Sequence, residues 1–176
     1  MVNKRLIARA RRIRVAIFDV DGVLTDGTVY LGQHGEEIKA FNILDGLGLK
    51  MLGASGVTLA LLSGRKSSVV ARRARETGIA HVMQGSADKL QTYHGLLRKL
   101  KLAEEDASFM GDDLPDLPVL RRCGLAFSVP DAPQIVRNHA HYVTGNRGGR
   151  GAVREACEFL MLAQGSLEAQ LSAYLR

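Results

Sequence analysis

The chain has 176 residues, of which 46% are hydrophobic, and this size and composition are sufficient for one globular domain with its own core. No apolar run approaches the roughly 20 residues that a membrane span requires, so we expect no membrane partner. The net charge of +6 is compatible with nucleic-acid binding. However, no aromatic residues interleave with the basic clusters, and without such stacking surfaces we predict that nucleic acid is not a partner.

The N-terminal segment and the cysteines indicate the compartment. Residues 1–14 are basic and lack the continuous apolar core of a secretory signal, so we expect a cytoplasmic protein that retains this segment. Cys123 and Cys157 have neither CxxC spacing nor nearby histidine ligands. We therefore expect two reduced packing residues and not a disulfide or a metal site.

In chain order, short apolar runs alternate with longer amphipathic segments. The apolar runs predict buried strands at Ile13–Val20, Val57–Leu62, Ala80–Met83, Ala107–Met110 and Leu125–Val129. The amphipathic segments predict helices at Asp45–Ala54, Ser67–Thr77, Ala87–Leu100, Pro115–Arg122, Ala132–His139 and Ala152–Ala163. Strands that alternate with helices indicate crossover connections, so the pattern predicts an α/β fold with a Rossmann-like, doubly wound parallel sheet.

Two segments depart from this alternation. Residues 28–41 (TVYLGQHGEEIKAF) contain two β-like pieces around a polar turn, which predicts a small β-hairpin inserted after the first strand; an ordinary surface loop is the alternative. Residues 144–176 contain a glycine-rich stretch, a helix and a tail of uncertain order. The glycines of residues 148–151 suit either a loop that closes over a site or a flexible linker. We expect one domain over residues 1–176.

Acidic residues follow two of the predicted strands directly. Asp19 and Asp21 end the first strand, and Asp112 and Asp113 follow the fourth. Parallel strands present their carboxyl ends at one edge, which is where open α/β sheets bind ligands. Because Asp19 and Asp21 stand two positions apart, both point to one side of an extended chain and their charges repel. A cluster of carboxylates without Cys or His selects a hard cation, for which we predict Mg²⁺.

Groups suited to a phosphate converge on the same edge. Ser63 and Gly64 follow the second strand, and Lys89 begins the helix after the third. The lysine offsets the negative charge of the acids and can contact a transferring phosphoryl group. The Ser63 hydroxyl and the Gly64 N–H can donate hydrogen bonds to phosphate oxygens. A nucleophile, a metal, a cation and hydrogen-bond donors together predict a phosphoryl-transfer site.

The same residues carry a resemblance to a known family. FDVDGVLTDG at 18–27, LLSGR at 61–65, Lys89 in ADKL and GDDLPD at 111–116 resemble, in order and spacing, the four motifs of haloacid dehalogenase-like phosphatases. Within that superfamily, the hairpin after the first motif and the later GGRGAVRE at 148–155 are similar to the small group that has no large cap domain. The resemblance covers nearly the whole chain and implies that group's fold.

The resemblance also implies a division of labour among the site residues. Asp19 is expected to be the nucleophile that forms an aspartyl-phosphate, and Asp21 the general acid and base. Mg²⁺ is expected to bind Asp19, the backbone carbonyl of Asp21, and Asp112.

Two further acids are expected to contact the groups that bind the metal and the phosphate. Asp113 is predicted either to reach the metal through water or to brace Asp112. Asp116 is predicted to orient Lys89.

The resemblance implies a sugar-acid phosphate as substrate. Within the group, Arg65 after the second motif favours the eight-carbon 3-deoxy-D-manno-octulosonate 8-phosphate, because arginine can hold its carboxylate in a bidentate pair. Thr28 on the hairpin is a second candidate substrate contact. A related nine-carbon sugar acid phosphate is the alternative substrate. The resemblance further implies lipopolysaccharide sugar biosynthesis and a homotetramer in which the hairpins pair and neighbouring subunits cover each site.

Two readings without turnover remain open on the residues alone. A non-catalytic regulatory module could keep the fold, although every catalytic position is present. A phospho-acceptor receiver domain shares the acidic cluster, but an acid two residues after the nucleophile favours hydrolysis over stored phosphate.

Overall fold

The computed structural model of the chain describes residues 4–175. The strands of this part are, in chain order, β1 Val15–Phe18, β2 Tyr30–Leu31, β3 Glu37–Ile38, β4 Thr58–Leu62, β5 His81–Met83, β6 Ala107–Met110, β7 Leu125–Ser128 and β8 Tyr142–Val143. The α-helices are α1 Lys4–Arg12, α2 Ile43–Ala54, α3 Ser68–Thr77, α4 Lys89–Leu100, α5 Leu117–Leu120, α6 Gln134–Arg137, α7 Ala152–Gln164 and α8 Leu167–Ser172.

The core of the fold is a six-stranded sheet in the order β5-β4-β1-β6-β7-β8, in which every pairing is parallel. All four residues of β1, β6 and β7 are buried, as expected for strands that helices cover on both faces. The predicted α/β class and parallel sheet are confirmed. The chain enters at the centre of the sheet with β1, so the loop that follows β1 lies at the middle of the carboxyl edge.

The predicted hairpin is present as the antiparallel pair β2 and β3, which lies between β1 and α2. It is shorter than the segment 28–41 suggests, because only two residues on each side pair. Gly35 at the turn has a φ of +87°, a conformation that favours glycine. This hairpin is inserted before α2, the helix that connects β1 to the parallel strand β4, and it is the small insertion that the sequence predicted.

Several predicted boundaries were wrong. β1 ends two residues before Val20, because Gly22 with a φ of +85° turns the chain and Val20 accepts turn hydrogen bonds. The predicted helix 115–122 begins as a 3₁₀ turn and becomes α-helical only at Leu117. The predicted helix 132–139 shrinks to Gln134–Arg137. Pro115 and Pro118 stand in the first turns of the 3₁₀ and α segments and Pro133 is the N-cap of α6, so each proline marks the start of a short segment.

Helix α1 and strand β8 were not predicted. The sequence Lys4–Arg12 is dominated by basic residues, which conceal its apolar face, yet Ala10 is fully buried. Its arginines contact the protein itself: Arg9 donates to the carbonyl of Gly124 at 2.7 Å, and Arg11 donates to that of Ala163 at 3.1 Å. Part of the basic N-terminus therefore serves the fold.

Both cysteines are buried and unpaired, as predicted. Among the helices of residues 4–175, none combines the length and the apolar character that a membrane crossing requires.

Gln164 joins the end of α7 to the end of α1. Its side-chain amide donates to the carbonyls of Ala10 at 3.1 Å and Ile13 at 2.8 Å. Gln164→Ala leaves both carbonyls without this partner, so we expect a loss of about 1–2 kcal/mol in the free energy of unfolding, measured by urea denaturation. Gln170→Ala on α8 is the matched control and should change stability by less than about 0.5 kcal/mol. Equal unfolding midpoints for the two variants would contradict this role.

Candidate active site

The carboxyl ends of β1, β4 and β6 and the first turn of α4 enclose one cleft of about 840 Å³. The structure brings most of the predicted site residues into its lining: Asp19, Asp21, Ser63, Gly64, Arg65, Lys89, Asp112, Asp113 and Asp116. Thr28 lies apart from this lining. It is exposed, and its backbone N–H donates to Asp26 at 3.0 Å, because the chain leaves the cleft at Gly27 to enter the hairpin. The prediction of a substrate contact at Thr28 is therefore not supported by this cleft.

Lys89 lies between two carboxylates at the centre of the site. Its ammonium is 2.9 Å from Asp19 Oδ2 and 2.6 Å from Asp116 Oδ1, and all three residues are buried. Burial by itself lowers the pKa of Lys89, but the charges of Asp19 and Asp116 outweigh it and raise the pKa above its ordinary value. Lys89 is therefore a fixed positive charge next to Asp19.

Asp116 organises the loop that follows β6. While Oδ1 contacts Lys89, Oδ2 accepts the backbone N–H groups of Asp112 at 3.0 Å and Asp113 at 3.2 Å. Gly111 makes room for this arrangement, since a Cβ there would lie 2.6 Å from the Asp116 carboxylate. Both oxygens of Asp116 are thus engaged, which fits the predicted role of orienting Lys89 better than a role as metal ligand.

Asp112 has an oxygen that lacks a partner. Its Oδ1 is buried and makes no hydrogen bond within the described residues. One carboxylate oxygen from each of Asp19, Asp112 and Asp116 lies within 4.8 Å of the others. Burying a carboxylate oxygen without a hydrogen-bond donor costs free energy. Coordination of a hard cation by that oxygen would remove this cost. With Asp116 engaged elsewhere, Asp19 and Asp112 are the side chains that fit Mg²⁺.

The raised pKa values of two acids in the cluster also indicate a place for a cation. Burial, and then the charge of Asp116, raises the pKa of Asp19 to about 6, although Lys89 opposes the shift. Burial, and then the charge of Asp19, raises the pKa of Asp112 to about 7. The protein alone therefore does not compensate this much negative charge, and a bound divalent cation would restore both groups to their ionised forms.

Asp21 lies beside the cluster and faces two cations. Its Oδ1 contacts the ammonium of Lys39 in the hairpin region, and its Oδ2 is 3.9 Å from Arg65 Nε. Glu37 of β3 joins the same network, at 3.4 Å from Lys39 and 3.3 Å from Arg65. The sequence pattern does not indicate Lys39 or Glu37 as site residues. The only local signal was a lysine between two apolar residues in EEIKAF, which does not reveal a partner 18 positions earlier.

Ser63 and Gly64 form the turn where β4 ends. The Ser63 hydroxyl accepts the backbone N–H of Arg65 at 3.2 Å, and it is Ser67 that caps α3. Ser63 is therefore not a helix cap, and its O–H proton remains available to an oxygen in the cleft. Asp113 is exposed, and its carboxylate accepts the N–H of Leu114 at 2.7 Å, so it caps the 3₁₀ turn.

The glycine-rich segment packs behind the loop that follows β1. The N–H of Gly149 donates to the carbonyl of Val23 at 2.9 Å, and a Cβ on Gly148 would lie 1.8 Å from the Gly22 carbonyl oxygen. Asp45 of α2 holds the end of this segment by accepting the backbone N–H of Gly151 at 3.3 Å. In this structure the segment supports the loop of Asp19 and Asp21, so it is not a free linker.

Comparison with known proteins agrees with the fold and the motifs. The family model of haloacid dehalogenase-like hydrolases matches residues 60–155. The 3-deoxy-D-manno-octulosonate 8-phosphate phosphatase of Escherichia coli K12 is 47% identical, over 95% of this chain and 89% of that protein. The chain belongs to the haloacid dehalogenase-like hydrolase family, as the four motifs predicted, and is therefore an enzyme.

Solved structures narrow the similarity within that family. A probable phosphatase of the yrbi family from Pseudomonas syringae has a TM-score of 0.97 and 53% identity, with 99% of both chains covered. The 3-deoxy-D-manno-octulosonate 8-phosphate phosphatase of Moraxella catarrhalis, solved with a magnesium ion, a phosphate ion and a KDO molecule, has a TM-score of 0.96 and 41% identity, also with 99% of both chains covered. The predicted resemblance to the capless sugar-acid phosphatases is confirmed.

A metal titration tests the candidate ligands. Mg²⁺ in about a hundredfold excess over its dissociation constant should raise the melting temperature of the wild-type protein by about 5 °C or more, because it binds only the folded state. Asp112→Asn should lose this shift and melt at a higher temperature than wild type without metal, because a buried charge is removed. Differential scanning calorimetry measures both effects.

Asp131→Asn supplies the control, because it removes an exposed aspartate outside the cluster. This variant should keep the full Mg²⁺ shift. A full shift in Asp112→Asn would show that Asp112 is not a ligand.

Proposed function

We propose that the chain is a Mg²⁺-dependent phosphatase that hydrolyses 3-deoxy-D-manno-octulosonate 8-phosphate through an aspartyl-phosphate on Asp19. The observation that carries the proposal is the contact of Asp19 with Lys89 beside the unpartnered oxygen of Asp112. It occurs in a chain that is 47% identical, over most of its length, to proteins named for this activity.

The residues of the cleft divide the reaction into two displacements. Asp19 attacks phosphorus with one carboxylate oxygen, and the new P–O bond forms as the bond to the sugar oxygen breaks. Asp21 donates a proton to the departing sugar oxygen and then accepts one from the water that attacks phosphorus, as the bond to the Asp19 oxygen breaks and inorganic phosphate leaves. Lys89 and the donors at Ser63 and Gly64 hold the phosphate oxygens as negative charge develops.

Asp19, Asp112 and the backbone carbonyl of Asp21 are the groups proposed to hold Mg²⁺. When bound, the ion supplies positive charge that reduces the repulsion between the phosphate and the carboxylates. Asp116 keeps Lys89 in place through its 2.6 Å contact.

Arg65 is the residue that we propose to recognise the sugar acid. Its side chain is 54% exposed at the mouth of the cleft, and the guanidinium lies 3.3 Å from Glu37. The guanidinium has five N–H donors, so it can bind a substrate carboxylate while it keeps its contact with Glu37. A carboxylate on an eight-carbon chain suits this cation. We further propose that the enzyme acts in the cytoplasm, in lipopolysaccharide sugar biosynthesis, as the activity implies.

Phosphate release tests the reaction and its substrate. Asp19→Asn should lower kcat for 3-deoxy-D-manno-octulosonate 8-phosphate by at least about a thousandfold, because the amide is not a nucleophile. Asp26→Asn, an exposed aspartate of the same loop, should retain activity within about threefold and serves as the control. The assay is inorganic phosphate release with and without Mg²⁺.

Three results of this assay would contradict the proposal. Equal release by Asp19→Asn would remove the nucleophile assignment. A higher kcat/KM for a nine-carbon sugar acid phosphate in a substrate panel would replace the eight-carbon assignment, and no turnover of any sugar phosphate would favour a regulatory module.

We propose a homotetramer in which the hairpins of neighbouring subunits pair. Its support in the chain is the exposure of large apolar side chains on the hairpin, where Tyr30 is 51%, Leu31 is 73% and Ile38 is 62% exposed. Tyr30 and Ile38 are paired across the hairpin and share one face, and an exposed apolar face of this kind favours burial between subunits.

Leu31→Lys places a charge at that interface and should shift the mass measured by light scattering from about four subunits to one or two. Leu162→Lys on α7 replaces a leucine of similar exposure, 61%, outside the hairpin and should leave the mass unchanged. An unchanged mass for Leu31→Lys, or a monomeric wild-type protein, would contradict the assembly.

A further inference from the structure

Lys39 is buried in a part of the chain that is otherwise exposed. The preceding residue, Ile38, is 62% exposed, whereas the side chain of Lys39 has no exposed surface. A lysine rarely loses all contact with water unless its charge is paired, because desolvation of an ammonium is costly. The position of Lys39 therefore depends on the groups that its ammonium contacts.

Both of its ion-pair partners within residues 4–175 are carboxylates. The ammonium contacts Asp21 Oδ1 and lies 3.4 Å from Glu37 Oε1. Glu37 remains ionised, since a hydrogen bond from Ser67 and then its contacts with Arg65 and Lys39 hold its pKa below the usual range. The Lys39 ammonium is thus paired with two carboxylates, and one of these belongs to Asp21, the proposed general acid and base.

The contact leaves one oxygen of Asp21 free. The Lys39 ammonium donates a hydrogen bond to Oδ1, whereas Oδ2 is 3.9 Å from Arg65 Nε, which is too far for a hydrogen bond. Asp21 and Arg65 both line the cleft, so Oδ2 is the oxygen that remains for a substrate there. Without Lys39 the carboxyl group could rotate and present either oxygen.

We propose that Lys39 is a positioning residue that holds the Asp21 carboxyl group by Oδ1 and so keeps Oδ2 toward the leaving group. The inference rests on the proposed function, because it concerns the proton that Asp21 transfers in that reaction. As the bond from phosphorus to the sugar oxygen breaks, its electron pair stays on that oxygen, which takes the proton from Asp21 Oδ2. Asp21 is left as the carboxylate, still in contact with Lys39 through Oδ1, and Lys39 itself transfers no proton.

A comparison of leaving groups separates this role from a purely structural one. A sugar alkoxide must be protonated as it leaves, whereas p-nitrophenolate is a stable anion at neutral pH. The quantity to compare is kcat/KM, because it includes only the steps up to formation of the aspartyl-phosphate. For Lys39→Met, we expect a loss of about ten- to a hundredfold for 3-deoxy-D-manno-octulosonate 8-phosphate, and of less than about threefold for p-nitrophenyl phosphate.

Two further variants complete the test. Lys39→Met should cause no additional loss in an Asp21→Asn background, because the group that it positions is already absent. Lys39→Arg, which keeps a cation, should recover at least about a third of the lost kcat/KM. Lys50→Met removes an exposed lysine on α2 and is the matched control, with both substrates expected to be unaffected.

Equal losses for the two substrates, or full additivity with Asp21→Asn, would overturn the inference and leave Lys39 as a structural residue. If Lys39→Met does not fold, as judged by its thermal transition, Lys39→Gln is measured with the same expected and contrary results. Failure of the proposed function has a different signature, since wild-type protein would then not hydrolyse the sugar phosphate at all.

Discussion

The accumulation of buried negative charge at the end of β1 is the constraint on which the rest of the site depends. Asp19, Asp112 and Asp116 approach within 4.8 Å, and Lys89 is the one cation that contacts two of them among the described residues. One lysine does not balance three acids, which is why burial and mutual repulsion raise the pKa values of Asp19 and Asp112. The imbalance fits a site that also holds a divalent cation, whose charge would offset that of the carboxylates and of a phosphate.

The surrounding chain holds this unfavourable cluster together by close backbone packing. Gly22 admits the Asp112 carboxylate, since a Cβ there would lie 1.9 Å from Oδ2. Behind the same loop, Gly148 and Gly149 approach so closely that side chains could not be accommodated. Asp45 of α2 then fixes the start of α7 by accepting the N–H of Arg154 at 2.8 Å. The site is thus supported by segments more than a hundred residues apart, and its geometry depends on the integrity of the whole sheet.

The hairpin region contributes two charged side chains to the site. Tyr30 and Ile38 are exposed on one face of its short strands, whereas Glu37 of β3 contacts Arg65, and Lys39, just after β3, contacts Asp21. Asp21, proposed for proton transfer, and Arg65, proposed for substrate recognition, are therefore both held by ion pairs to residues of the same insertion. In the proposed tetramer, burial of the outer face of the hairpin would stabilise this inner network as well, which links assembly to chemistry through one small element.

The sequence by itself determined the parallel sheet, five of its six strands and most of the cleft. Acids, Ser63 and Lys89 follow the ends of parallel strands or begin the next helix, and the topology of such a sheet brings those positions together regardless of side-chain detail. The sequence did not determine α1, because arginine dominates its pattern, or the extent of the short helices near proline. Only the tertiary structure decided the contact of Lys39 with Asp21, the position of Thr28 outside the cleft, and the packing of Gly148 on Gly22. These features depend on how loops fold back across the sheet, and loops carry no periodic signal that specifies their distant partners.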